Sequence, residues 1–183
     1  MVIYYIGKKE RATRMEVCYE MQQMRELLDE KGIEWEDHSE TYEGTAIDMW
    51  ICRTWFEYKG NKVSVINGFG TYGGYDGLDS KDNIGRLEMM NGATEPIGFL
   101  MADDIFSILD EKITVEEMFF LNTIRYIKNS EAIAFILQEY IQENGPLSNE
   151  LGDKIKKYLA ELKEKESEEE DKPLFCQIFD PNC

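Results

Sequence analysis

The sequence predicts an α+β fold, in which a small mixed α/β N-terminal part with an antiparallel hairpin precedes a helical C-terminal part. Aromatic and β-branched residues fill Met49–Tyr58 and Lys62–Asn67 on either side of the turn Lys59-Gly60-Asn61, a pattern typical of a β-hairpin. From Thr114 onward, helix-capping signals and apolar residues at helical spacing recur instead. We therefore expect an α/β domain over residues 1–112, a helical region over 113–172 and a tail over 173–183.

The N-terminal part contains three further predicted elements. A helix is expected to follow the capping box Thr13–Glu16 and to run to about Lys31, with one apolar face formed by Val17, Met21, Met24 and Leu28. Ile33–Asp37 has strand character, and the polar segment His38–Asp48 is expected to be a loop. Asn83–Met90 is expected to be a short helix, followed by a break at Glu95–Gly98 and a helix over Ala102–Leu109.

The helical region should contain three helices. Thr114 and Glu117 form a capping box that opens the first of them, which should end near Lys128. Ser130 is expected to cap the second helix, and Asn149 the third. The acidic end of the third helix, from Glu164 to Asp171, holds few apolar residues and is expected to fray.

The composition narrows the class of partner. With 37 Asp+Glu against 20 Lys+Arg, the net charge is −17, whereas a protein that binds nucleic acid directly needs a basic surface. Anionic membranes would repel the chain, and no apolar run approaches the roughly 20 residues of a spanning helix. Cys18, Cys52, Cys176 and Cys183 form no Cys-x-x-Cys pair, which is typical of reduced thiols in a cytoplasm. We expect Cys18 and Cys52 to be small core residues.

The glycine-rich segment from Gly68 to Gly77 carries five glycines and three aromatic residues. Its first six residues match G-x-G-x-x-G, but the preceding strand belongs to the predicted hairpin and no helix start follows Gly73, so dinucleotide binding is disfavoured. Two interpretations stay open. The segment is either a turn-rich connection between strands or a recognition loop that presents Phe69, Tyr72 and Tyr75.

The sequence contains no recognisable catalytic or metal-binding pattern. His38 is the single histidine, which rules out histidine-rich zinc sites. Nucleophilic catalysis by a Cys–His pair would need Cys52, from a strand expected to be buried, to lie beside His38. We therefore expect a protein that is not an enzyme and that has no catalytic residue, metal or cofactor.

Acidic residues concentrate in two segments. Nine acids against Lys31 and Arg53 lie between Asp29 and Glu57, interleaved with aromatic residues, and seven acids against two lysines lie between Glu161 and Asp171. Such segments are either solvated faces or surfaces whose carboxylates imitate the phosphates of a nucleic acid. In the second case the residues that we expect to contact a partner are Glu34, Trp35, Glu36, Asp37, Glu40, Tyr42, Glu43 and Asp48.

Four segments carry a resemblance: Lys31–Asp37, Arg53–Phe56, Val63–Gly74 and Glu95–Gly98. With these segments the chain resembles, over roughly residues 20–110, small accessory proteins of phages and mobile elements of gut Firmicutes. Its size and acidity are similar to those of anti-CRISPR proteins, which inhibit type II RNA-guided nucleases. The resemblance implies a host RNA-guided nuclease, or its guide-RNA complex, as the partner and the bacterial host cytoplasm as the location. It brings no catalytic residues.

The leading hypothesis is thus an acidic, non-enzymatic inhibitor of a basic nucleic-acid-processing enzyme, most specifically a type II CRISPR nuclease whose DNA binding or cleavage it blocks. The alternative is a phage ligand-binding module that sequesters a host signalling nucleotide. Its phosphates would need nearby cations, for which Arg53, Lys62 and Arg86 are the candidates. The sequence leaves open whether the chain forms a homo-oligomer.

Overall fold

A computed structural model describes residues 17–42, 49–68, 70–73 and 85–170. The chain divides into two compact units, Met1–Asp110 and Glu111–Cys183. The α+β fold class is confirmed, because strands fill most of the first unit and helices the second. The elements are α1 (Tyr19–Glu30), β1 (Trp35–Asp37), β2 (Glu40–Tyr42), β3 (Met49–Tyr58), β4 (Asn61–Gly68), β5 (Leu87–Asn91), β6 (Ile97–Leu100), α2 (Ala102–Leu109), α3 (Val115–Tyr126), α4 (Ser130–Asn144) and α5 (Asn149–Glu170).

The six described strands form one sheet in the order β1-β3-β4-β5-β6, with β2 also paired to β3. All the pairs are antiparallel. The predicted hairpin is confirmed: β3 and β4 pair from Ile51↔Gly68 to Tyr58↔Asn61 around the turn at Lys59 and Gly60. Both turn residues have positive φ, of 50° and 80°, as a tight two-residue hairpin turn requires.

Strands β1 and β2 lie along the same edge of β3 in one continuous register. Glu36 faces Trp55 in the first pair and Glu40 faces Ile51 in the second. Between them the backbone N–H of His38 still donates to the Arg53 carbonyl at 2.9 Å, while the Ser39 hydroxyl accepts from the Arg53 N–H at 3.1 Å. The prediction of a loop from His38 to Asp48 is therefore wrong for β2, because a side-chain hydroxyl keeps the strand in register past the interruption.

Strand β5 corrects a second prediction, since Asn83–Met90 was expected to be helical. Leu87 and Met89 point into the core, at 0% and 1% exposure, while β5 pairs with β4 on one side and β6 on the other. Leu, Glu and Met favour helices locally. Here pairing with strands distant in the sequence overrides that preference. The break expected at Glu95–Gly98 is only partly correct, because Ile97 and Gly98 belong to β6.

Helices α1 and α2 cover one face of the sheet. Met21, Met24 and Leu28 of α1 are fully buried, as the predicted apolar face requires. The Thr54 hydroxyl in β3 donates to the Met21 sulfur at 3.4 Å, and Phe56 lies 6.4 Å, centroid to centroid, from Phe106 of α2. Helix α1 begins at Tyr19, so the helix expected from Thr13 does not include Val17 and Cys18; residues 13–16 lie outside the described residues.

In the second unit, α3, α4 and α5 share a core around Ile124, Ile133 and Leu162. The predicted capping box of α3 is confirmed: the Thr114 hydroxyl accepts from the Glu117 N–H, and the Glu117 carboxylate accepts from the Thr114 N–H.

Two other predictions for the helical region are wrong. Asn129 rather than Ser130 caps α4, because its side chain accepts from Ala132 N–H at 2.8 Å. The hydroxyl of Ser148 rather than the side chain of Asn149 accepts from the start of α5. Helix α5 extends to Glu170, and fraying of its acidic end stays a prediction. Within the described residues, none of the helices is long and apolar enough to cross a lipid bilayer.

Candidate partner-binding groove

A groove of about 1020 Å³ lies in the first unit between the end of α1, strand β1 and the β3–β4 hairpin. Three of its lining side chains are aromatic, four are acidic and one is a lysine. The lining residues are Asp29, Gly32, Ile33, Glu34, Trp35, Glu36, Trp55, Phe56, Glu57, Gly60 and Lys62. The groove thus combines an apolar floor with a strongly charged rim, a composition suited to recognising a polar partner.

Trp55 contacts three neighbouring side chains in the groove. Its indole N–H donates to the Ser64 hydroxyl at 3.1 Å, which fixes the ring plane from the neighbouring strand. The ring of His38 lies 3.8 Å from the indole centroid, and the Lys62 ammonium lies over the indole, also at 3.8 Å. Trp55 alternates with the buried Thr54 and Phe56 along β3 and so belongs to the sheet face opposite α1 and α2.

Trp35 contacts two side chains of helix α1. Its indole N–H donates to the Asp29 carboxylate at 2.9 Å, which ties β1 to the last turn of α1. The guanidinium of the buried Arg25 lies 4.7 Å from the Trp35 ring centre. Trp35 is therefore already oriented before any partner binds, which lowers the entropic cost of using it as a contact.

The electrostatics of the groove favour a cation. Asp29, Glu34, Glu36 and Glu57 face a single ammonium, that of Lys62, which leaves a net charge of −3. The hydrogen bond from His38 to Glu36 is 2.7 Å long and, with the charge of that imidazole when protonated, lowers the pKa of the Glu36 carboxyl below its usual value. Glu36 consequently stays ionised at neutral pH.

The structure brings only part of the predicted contact set into the groove. Glu34, Trp35 and Glu36 line it. The Asp37 carboxylate instead accepts from Ser39 and forms a 3.2 Å ion pair with Arg25, and Glu40 forms a 3.5 Å ion pair with Arg53. The backbone of Tyr42 ends β2, and the predicted contacts Glu43 and Asp48 lie outside the described residues.

Five charged or aromatic groove residues were not among the predicted partner contacts: Asp29, Trp55, Phe56, Glu57 and Lys62. They come from α1, β3 and β4, and only strand pairing places them beside β1. Glu36 is the cross-strand partner of Trp55, and Glu57 is the cross-strand partner of Lys62. The alternation of Trp55 and Glu57 with buried residues along β3 is the signal that could have identified them.

The glycine-rich segment is described only in part, at Gly68 and from Gly70 to Gly73, so the candidates Phe69 and Tyr75 lie outside the described residues. Tyr72 is 57% exposed, but its backbone is anchored: its N–H donates to the Glu88 carboxylate at 2.8 Å and its carbonyl accepts from Phe99. Strand β4 is antiparallel to both of its neighbours, which removes the βαβ context of a dinucleotide site.

The three cations considered for a phosphate ligand lie in different settings. Arg53 forms the ion pair with Glu40, Arg86 lies 4.0 Å from Glu20, and Lys62 lies in the acidic groove. Each of the three cations thus lies near acidic side chains. Binding of a nucleotide by the glycine-rich segment stays a prediction, and the groove does not support it.

The two described cysteines are buried and unreactive in character. Burial raises the pKa of the Cys18 thiol to about 12 and that of Cys52 to about 11, so both are protonated at neutral pH. Cys18 and Cys52 are 3% and 0% exposed, which confirms them as small core residues. Across the described part of the chain, no three His, Cys, Asp or Glu side chains are placed to hold a metal ion together.

Comparison with known proteins returns no relative. No protein family matches the chain, and neither the curated proteins nor the solved structures contain a significant match to it.

Proposed function

We propose that this chain is an acidic, non-enzymatic inhibitor that binds a basic nucleic-acid-processing enzyme in the bacterial cytoplasm. The enzyme proposed is a type II CRISPR RNA-guided nuclease or its guide-RNA complex, in keeping with the resemblance of the sequence to phage accessory proteins. The observation that carries the proposal is the groove, which four carboxylates line together with Trp35 and Trp55.

The physical basis is complementarity of charge and shape. Such a nuclease holds its guide–target duplex in a positively charged channel and reads the adjacent DNA motif with arginines. A chain of charge −17 is steered towards that channel, and the groove carboxylates then occupy positions that DNA phosphates otherwise take. The aromatic side chains supply the short-range contacts that slow dissociation.

The test removes the charge of three groove carboxylates that are exposed, so that the fold should be unaffected. Glu34, Glu36 and Glu57 are exposed and are changed together to Gln. The matched control changes Glu131, Glu139 and Glu143 to Gln, because these exposed residues lie on α4 in the other unit and the net charge changes by the same amount.

The association rate with a purified type II nuclease–guide complex is measured for both variants at two salt concentrations, together with DNA cleavage. We expect the groove variant to associate about tenfold more slowly than the control at low salt, with the gap narrowing at high salt because exposed charges are screened beyond about 8 Å at physiological ionic strength. Equal rates for the two variants, or cleavage unaffected by the unaltered chain, would overturn the proposal.

A further inference from the structure

The face of Trp55 already holds a cation from its own chain. The Lys62 ammonium lies 3.8 Å from the indole centroid, within the range of a cation–π contact, and indole attracts cations more strongly than other side-chain rings do. Lys62 itself is exposed. The contact therefore shows that the groove accommodates a nitrogen cation over this ring, at a place open to solvent.

Two carboxylates project from the same face of the sheet as Trp55. Glu36 is the cross-strand partner of Trp55 on β1. Glu57 lies two residues further along β3, so it projects from the same face of the sheet as Trp55. A cation over Trp55 would thus share this face with two acidic side chains, of which Glu36 is already hydrogen-bonded to His38.

We infer that the groove is a receptor for an arginine side chain of a basic protein partner, which displaces Lys62 from the face of Trp55. The inference rests on the proposed function, because it names the chemistry by which that surface recognises its partner. A guanidinium fits better than an ammonium, since its planar group stacks on an indole and at the same time donates paired hydrogen bonds to carboxylates. The volume of about 1020 Å³ exceeds that of one side chain, so the groove has room for an arginine.

The direct test uses a probe that is independent of any nuclease. A fluorescently labelled peptide of alternating arginine and glycine is titrated with the full chain, and fluorescence anisotropy reports binding. A second peptide has citrulline in place of arginine, which keeps the shape of the side chain but removes its charge. We expect saturable binding of the arginine peptide and at least tenfold weaker binding of the citrulline peptide.

Two variants locate the binding to Trp55. Trp55→Leu keeps an apolar side chain but removes the π-face, and should weaken binding of the arginine peptide about 3- to 30-fold. Lys62→Met removes the internal competitor and should strengthen binding several-fold. Its control, Lys156→Met, removes an equal charge from an exposed position on α5 and should change binding much less.

The outcomes separate this inference from the proposed function. Equal binding of the two peptides, or equal effects of Lys62→Met and Lys156→Met, overturns the arginine receptor. If Trp55→Leu lowers the stability of the fold, the comparison of Lys62→Met with Lys156→Met tests the inference instead, because both variants leave the indole in place. If the peptides bind as predicted but the chain does not affect nuclease cleavage, the arginine receptor is supported and the nuclease is excluded as its partner. Conversely, nuclease inhibition can depend on Glu34, Glu36 and Glu57 and yet be unchanged in Trp55→Leu and Lys62→Met. That result supports the proposed inhibitor function and overturns the arginine receptor.

Discussion

The carboxylate of Glu20 in α1 accepts a 2.7 Å hydrogen bond from the backbone N–H of Ala102, the first residue of α2. The first N–H groups of a helix have no partner within it, and here a side chain from another helix supplies one. Glu20 is only 3% exposed. The contact therefore joins the two helices that cover the sheet.

Replacing Glu20 with Ala should lower the free energy of unfolding by about 1–3 kcal/mol, because it leaves a buried N–H without an acceptor. Glu20→Gln keeps an oxygen acceptor and should cost less. Urea unfolding measures both, with Glu30→Ala at the exposed end of α1 as the control. A loss no greater than that of Glu30→Ala would show that this contact contributes nothing.

The same residue predicts a pH effect. Burial raises the pKa of the Glu20 carboxyl above its ordinary value, so the folded state holds this proton more tightly than the unfolded state does. Ionising Glu20 therefore costs folding free energy, and the cost grows as the pH rises from the ordinary carboxyl pKa, about 4.3, through the raised one. Unfolding free energies between pH 4 and pH 8 should fall more steeply for the unaltered chain than for Glu20→Gln; parallel curves would contradict this.

Asp37 should stabilise the fold in the opposite pH direction. Burial alone would raise its pKa, but hydrogen bonds from Ser39 and the Arg25 guanidinium outweigh burial and lower it. The contribution is present above the unfolded-state pKa of about 3.9 and is lost as the pH falls through the lower folded-state value. Asp37→Asn should cost about 0.5–1 kcal/mol at pH 7, because Arg25 loses its charged partner while solvent screens part of the attraction at this exposed carboxylate, and almost nothing near pH 2. A cost independent of pH would exclude the ion pair as its cause.

Gly73 should tolerate substitution less well than Gly70. Both have positive φ, of 86° and 76°. A Cβ at Gly73 would lie 2.5 Å from the Cβ of Arg86, whereas a Cβ at Gly70 would have no neighbour within 4 Å. Gly70→Val should therefore cost about 1–3 kcal/mol from backbone strain, and Gly73→Val more. Thermal melts compare them, and equal melting temperatures would disprove the close approach.

Cys18 and Cys52 should resist alkylation in the native protein. Their raised pKa values leave almost no thiolate at pH 8, and the thiolate is the reactive form. Peptide mass spectrometry after brief iodoacetamide treatment should find both unmodified in buffer and modified in urea. Modification of Cys52 in buffer would reopen the question of a Cys–His pair, and Cys52→Ser should leave partner binding unchanged.

Local patterns predicted those elements whose partners are close in sequence. The β3–β4 hairpin follows from strand residues around Lys59 and Gly60, and α3 follows from Thr114 and Glu117, because each needs only a few neighbouring residues. Strand β5 was missed because its identity depends on pairing with β4 across more than twenty residues. For the same reason the acidic side of the groove was predicted at Glu34 and Glu36, while Trp55 and Lys62 were not.

The short strands β1 and β2 have one further consequence. Among the described strands they occupy an edge of the sheet, where unpaired backbone groups invite a strand from another molecule. The two segments are three residues each and carry Glu36, Asp37 and Glu40, so two copies of this edge repel one another. Glu36, which lines the groove and which we propose attracts a basic partner, thus also guards this edge against self-aggregation. Neutralising Glu36 would weaken both effects at once, so the tendency of the edge to aggregate would increase as partner binding falls.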